Sequence, residues 1–154
     1  MERTERPTTS TRDPAELSGH LAEWLASVLP PGSQPSVSGA EIPGATGMSS
    51  ETLLFEAAWH ENGTPHKEAL VARVAPDPSA VPVFPVYDMG RQFETIRLVD
   101  QLSDVPVPRV RWCEPEGAGL GAPFFVMDRV EGLVPPDVMP YTFGDNWFHD
   151  APGD

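Results

Sequence analysis

Cysteine, positive charge and long apolar runs are all scarce in this chain, and each shortage closes off a class of function. The single cysteine, Cys113, excludes an internal disulfide and any cysteine-rich zinc site. Ten Lys and Arg stand against 23 Asp and Glu, a formal net charge of −13. Neutralising a nucleic-acid backbone takes clustered cations, so a broad nucleic-acid surface is excluded. The acidic balance otherwise speaks to solubility. The four histidines, His20, His60, His66 and His149, are scattered and form no metal-ligand spacing. No stretch approaches the ~20 consecutive apolar residues of a membrane span. The opening segment MERTERPTTSTRD has no apolar signal core. Asn62-Gly63-Thr64 matches a glycosylation sequon, but without a secretory signal it reads as a turn. The expectation is a cytoplasmic protein that engages neither membrane nor nucleic acid.

What remains is a chain of 154 residues, 40% hydrophobic, enough for one domain with a modest core. Residues 1–12 read as a disordered lead-in, 13–132 as the folded unit and 133–154 as a tail of different character. Asp13-Pro14-Ala15-Glu16 carries helix-start chemistry: an N-cap acid, a proline in the first turn and a glutamate three residues on. Leu17, Leu21, Trp24, Leu25 and Val28 then share a helical face, and Pro30-Pro31-Gly32 stops the run. A weak β-like stretch covers 36–43. The segment ETLLFEAAW leads into Asn62-Gly63, a hairpin signal, and EALVARVA follows. Beyond an extended proline-rich loop, the spacing of Met89, Phe93, Ile96 and Val99 predicts a second helix. DVPVPRVRWC reads as a proline-edged strand, EPEGAGLGAP as a glycine-rich turn and FFVMDRVEG as a buried strand. The fold class expected is α+β: a small, mostly antiparallel sheet with an N-terminal helix and one further helix packed on it.

Three pieces of this order carry chemistry. Residues 44–50, GATGMSS, lie between the first two strands, where a tight loop turns back. Glycines there let backbone N–H groups approach an anion, and serines add donors, although a G-x-x-G turn also serves as a plain turn. It lacks the G-K-[S/T] of a P-loop. The second piece is Arg73, in the strand LVARVA. Alternation puts Leu70, Ala72 and Val74 on one face and Val71 and Arg73 on the other. Arg73 either points into water or into a cleft, where Val71 would face a base and Arg73 the phosphates. The third is the second helix, where Gln92 falls inside the apolar stripe and Glu94 on the opposite face. An inward Gln needs a hydrogen-bond partner, and Arg73 is the candidate. Cys113 reads as an inert buried thiol, and Asp77 and Asp88 as solvated acids flanking the proline-rich loop.

A glycine loop, a V-A-x-cation strand, a helix with an inward polar residue and two strands ending in a hinge resemble a kinase N-lobe. The wording resembles the aminoglycoside phosphotransferase family over about residues 36–146: GMSSETLLFEAAW for its loop and second strand, DVPVPRV, and LGAPFFVMDRVEG for its last strand and hinge. The resemblance implies transfer of the γ-phosphoryl of ATP to a hydroxyl on a small molecule. It implies that Gly44, Gly47, Met48, Ser49 and Ser50 cover the phosphates. Arg73 stands where a phosphate-binding lysine is expected, and Gln92 where its glutamate partner often sits. That exchange turns an ion pair into a hydrogen bond to a charged group. The backbone of Asp128, Arg129 and Val130 would meet adenine, with Met127 at the back of the pocket. The catalytic-loop H-G-D-x-x-x-x-N and the later aspartate that such transfer requires are not matched here. His149-Asp150 and Phe143-Gly144-Asp145 read as chance. The sequence therefore assigns no catalytic residue and no metal ligand to this chain, and Mg²⁺ is expected only with a C-lobe. The resemblance points to an N-lobe, truncated or from a split gene, with Trp147 and Phe148 at an interface with the absent lobe. Self-association or a complementing C-lobe is expected. The alternative is a non-catalytic interaction module of pseudokinase type, and a fragment without activity is the third reading.

Overall fold

The computed structural model describes residues 13–43, 50–77 and 84–133. Among these residues two helices pack on a five-stranded antiparallel sheet, an α+β arrangement consistent with a kinase-like N-lobe. The elements run α1 (Pro14–Val28), β1 (Ser36–Glu41), β2 (Glu51–Glu61), β3 (Thr64–Val74), α2 (Met89–Leu102), β4 (Val110–Glu114) and β5 (Phe124–Asp128). Their order across the sheet is β1-β2-β3-β5-β4.

The helix α1 starts as its sequence dictates. The Asp13 carboxylate accepts a hydrogen bond from the Ala15 N–H at 2.9 Å, satisfying one of the amides that a first turn leaves open. Leu29 is extended (φ −86, ψ 159), as a residue preceding proline must be, and the helix ends there. Leu17, Leu21, Trp24 and Leu25 are buried as expected. Val28 departs from that stripe: it is 40% exposed, while Leu29, redirected by the helix end, turns into the core instead.

Strands β2 and β3 form the spine of the sheet, paired over eleven residues each from Glu51↔Val74 to Glu61↔Thr64. Their turn holds Asn62 at φ 51 and Gly63 at φ 80, the two left-handed residues of a type I′ hairpin. The ladder draws Thr64–Lys67 into the strand, so β3 begins before the EALVARVA segment. On one face lie Leu53, Phe55, Leu70, Ala72, Val74, Phe124 and Val126, all buried beneath α1. Trp24 clamps this layer, edge-on to Phe124 (ring centroids 4.7 Å) and Trp112 (6.4 Å), and its indole N–H donates to Glu114 at 3.3 Å. The other face carries α2, whose Phe93 meets Phe125 edge-on at 6.2 Å. Met89 is fully buried, and Ile96 packs on the core with Phe93.

Four expectations shift. The proline-edged strand starts only at Val110, because Pro106 and Pro108 have no N–H to give a ladder. The first strand ends at Glu41, with its register broken between Ser38 and Glu41. Asp88 is exposed but not idle: its carboxylate accepts from the Arg91 N–H at 2.8 Å and caps α2. Asp77 is half-buried rather than solvated. The lead-in 1–12 and the tail beyond Leu133, with Trp147 and Phe148, lie outside the described residues. Among those residues no helix is long and apolar enough to cross a membrane.

Candidate anion site on the open face of the sheet

The sheet has one sealed face and one half-open face, and the cation lies on the latter. Cross-strand pairs of an antiparallel ladder share a face, so Thr52, Arg73 and Phe125 form one row across β2, β3 and β5. Glu41, Leu54, Val71 and Met127 form the next, across β1, β2, β3 and β5. Phe125 and Val71 are buried, whereas Thr52, Leu54, Arg73 and Met127 are only half-buried. A charged side chain thus stands beside an apolar wall, on a surface that among the described residues α2, lying over β4 and β5, covers only in part.

Arg73 is fixed from the start of β2. Its guanidinium donates from Nη2 to the Ser50 hydroxyl, and Ser50 is itself buried. That bond helps to fix the rotamer, and the planar guanidinium carries further N–H donors of the kind that grip an oxyanion. Burial holds the Arg73 pKa below its ordinary value. Desolvation is the cause of that shift, and among the described residues no neighbouring charge offsets it.

The other expected site residues fall as follows. Gly44, Gly47, Met48 and Ser49 lie outside the described residues; Ser50, the last of that loop, is joined to Arg73. Val71 is on the same face as Arg73 and opposite Met127, an apolar pair of the kind a flat base would rest on. Gln92 is half-buried on α2, and the hydrogen bond recorded for Arg73 among the described residues runs to Ser50 rather than to its amide. Glu94 is exposed, as expected, and bound to Arg97. Asp128 faces the other side of the sheet, where its carboxylate receives Arg111 Nε at 2.5 Å. The backbone N–H of Asp128 donates to Arg109 (2.9 Å) and that of Arg129 to Ala69 (3.0 Å). The sheet consumes both donors, so Val130, 69% exposed, is the first residue past the ladder. Sequence reasoning overlooked Thr52 and Leu54. The Asn62-Gly63 turn contained the signal: a two-residue hairpin sets Leu54 opposite Val71 and Thr52 opposite Arg73 by counting alone.

The donor set does not suit magnesium, which takes oxygen ligands, chiefly carboxylates and water. In the cation's own row the described side chains are hydroxyl and apolar, and Glu41 on β1 is the single acid in the next. Among the described residues no group of three or more His, Cys, Asp or Glu is placed to hold a metal ion.

No family model matches the chain. A crystal structure from Ralstonia eutropha JMP134, of a protein provisionally described as an aminoglycoside phosphotransferase, is similar with a TM-score of 0.47 and 17% sequence identity. The match covers 75% of this chain and 28% of that one. A likeness of that size decides neither fold nor activity, which rest on this chain's own sheet order and side chains.

Proposed function

We propose that this chain is the nucleotide-binding lobe of an ATP-dependent small-molecule phosphotransferase, acting in the cytoplasm. The observation that carries the reading is the half-buried Arg73, which among the described residues is held by Ser50 and has no offsetting charge, on the sheet face it shares with Val71, Leu54 and Met127. A desolvated cation next to an apolar wall matches a ligand with an anionic tail and a flat apolar head. In this reading Arg73 and Ser50, with the preceding glycine loop, take the phosphates. Val71, Leu54 and Met127 contact the base, and the backbone past Asp128 meets its edge. The role is positioning; the general base, the metal ligands and the hydroxyl acceptor site belong to a C-lobe. The 154-residue chain is expected to show no phosphoryl transfer on its own.

Isothermal titration with ATP tests this. Wild type should bind, and Arg73→Ala should lose at least about tenfold in affinity, as expected for removing a charge-assisted contact worth ~1.5–3 kcal/mol. Absent binding, or binding indifferent to the substitution, refutes the nucleotide site.

A second reading is supported by another observation. Leu102, Val105, Val130 and Leu133 are large apolar side chains left 60–79% exposed. Such surface suits a non-catalytic module that docks on a partner. The two readings separate cleanly: the docking module associates without binding nucleotide.

A further inference from the structure

We propose that Asn62 is a self-modification site locked by the fold. The β2–β3 turn holds it in a conformation that blocks deamidation, and opening of the hairpin releases a reaction whose isoaspartyl product cannot rebuild that turn.

The pair Asn62-Gly63 has the composition the reaction needs. Glycine has no side chain to shield its N–H, so its nitrogen can reach the amide carbon of a preceding asparagine. Both residues are exposed, and nothing stands within 4 Å of where a Cβ on Gly63 would lie. The ladder ends at Glu61↔Thr64, which leaves both turn residues outside it. In the first step Gly63 N bonds to Asn62 Cγ, the Cγ–Nδ2 bond breaks, and ammonia leaves with the proton that Gly63 N gives up. Water then opens the resulting succinimide. Attack at Cγ gives aspartate at position 62; attack at the main-chain carbonyl gives isoaspartate, with the chain rerouted through Cβ and Cγ.

The turn geometry opposes the first step. Asn62 at φ 51 and Gly63 at φ 80 are the left-handed pair of a type I′ turn. The first of these residues has ψ of about +30°, and a tetrahedral Cα sets Cβ about 120° from the backbone N, so Cβ lies about 150° from Gly63 N around the Cα–C bond. That is close to anti, whereas closing a five-membered ring brings the two nearly into line. Asn62 must therefore swing through most of a half-turn, and the paired strands on either side of a two-residue loop do not permit it. Deamidation waits for the hairpin to open locally.

The two products differ in consequence. Asp-Gly suits a type I′ turn as Asn-Gly does, so the aspartyl form closes again with one added charge. Isoaspartate inserts a carbon into the main chain of a loop that fixes the register. That register sets Thr52 opposite Arg73 and Leu54 opposite Val71, so a transient opening becomes a permanent loss of the sheet's order.

Incubating the 154-residue chain in buffer and in guanidinium chloride, at one pH and temperature, tests this. Mass spectrometry of the peptide spanning Asn62 measures deamidation, and enzymatic carboxyl methylation counts isoaspartate. Deamidation should be at least about tenfold faster in denaturant, because the native ladder must otherwise open first. Asn62→Gly, which keeps a left-handed turn, should remove the signal. In the aged native sample the isoaspartyl fraction should be digested by protease faster than the aspartyl fraction. Equal rates in buffer and denaturant overturn the lock. An isoaspartyl fraction as protease-resistant as the unmodified chain overturns the proposed loss of register.

Discussion

A guanidinium in the middle of an apolar strand pays for its position in lost hydration, and at Arg73 the described residues restore little of it. The described contact is one hydroxyl, Ser50, with no counter-charge. A group kept for stability would be better paired, so replacing it should cost little. Arg73→Met retains the stem and removes the buried charge, but leaves the Ser50 hydroxyl without its donor. Those terms nearly cancel, and stability in urea should change by no more than about 1 kcal/mol. A loss of several kcal/mol would mean that Arg73 is structural. Cys113 gives a second test at this scale. Burial, then the nearby Glu114 and Asp88 charges, pushes its thiol pKa up. A raised pKa leaves less thiolate at any pH below it. Alkylation by iodoacetamide at pH 8 should be slower than for free cysteine and approach the free rate in urea. Equal rates in the folded state would contradict the shift. Gly117 is the residue with least latitude: at φ +81, an added Cβ would fall 2.8 Å from the Ala122 carbonyl carbon. Gly117→Ala combines a left-handed backbone with a clash against main chain, and should destabilise by about 2 kcal/mol or more.

At the scale of elements, the sheet is organised by one turn and one tryptophan. The I′ geometry at Asn62-Gly63 sets eleven pairs of the β2–β3 ladder, and that register decides which side chains meet on each face. This is why the face of Arg73 was legible from sequence and why its neighbours Thr52 and Leu54 could have been read as well. The helix α2 was equally plain, because Met89, Phe93 and Ile96 repeat at helical spacing and do pack inward. Gln92 was legible only as a position on that face. Which partner a long amide finds depends on distances between elements, and periodicity contains none. The start of β4 was hidden because Val105 and Val107 look strand-like while the intervening prolines withhold their N–H groups. Trp24 supports the other face, touching Phe124, Trp112 and Glu114 from a single position on α1. Trp24→Ala should cost about 3–5 kcal/mol. In a domain of ordinary stability, about 5–15 kcal/mol in total, that is enough to lower the urea midpoint sharply. A shift below about 1 kcal/mol would show that α1 docks without its tryptophan.

For the whole molecule, the asymmetry between faces matters more than any one contact. Among the described residues the α1 face is closed by a continuous core, whereas the opposite face is covered over β4 and β5 by α2 and only half-buried along β2 and β3. Around the same molecule Leu102, Val105, Val130 and Leu133, with Phe84 and Val86, leave apolar side chains in water. Scattered exposed apolar residues are ordinary, but six large ones on a lobe of this size favour burial against something else. The net charge of −13 opposes self-association at low salt, because like-charged copies repel. Salt screens that repulsion over roughly 10 Å at 0.1 M and leaves apolar attraction intact. The chain should therefore associate with itself more strongly as ionic strength rises, the reverse of a contact held by ion pairs. Sedimentation velocity across protein concentration at low and at high salt measures this directly. Growth of a dimer or larger species with both variables is the expected result. A monomer that persists at high concentration and high salt would show that the exposed apolar residues are tolerated singly, and would remove the physical ground for an interaction surface.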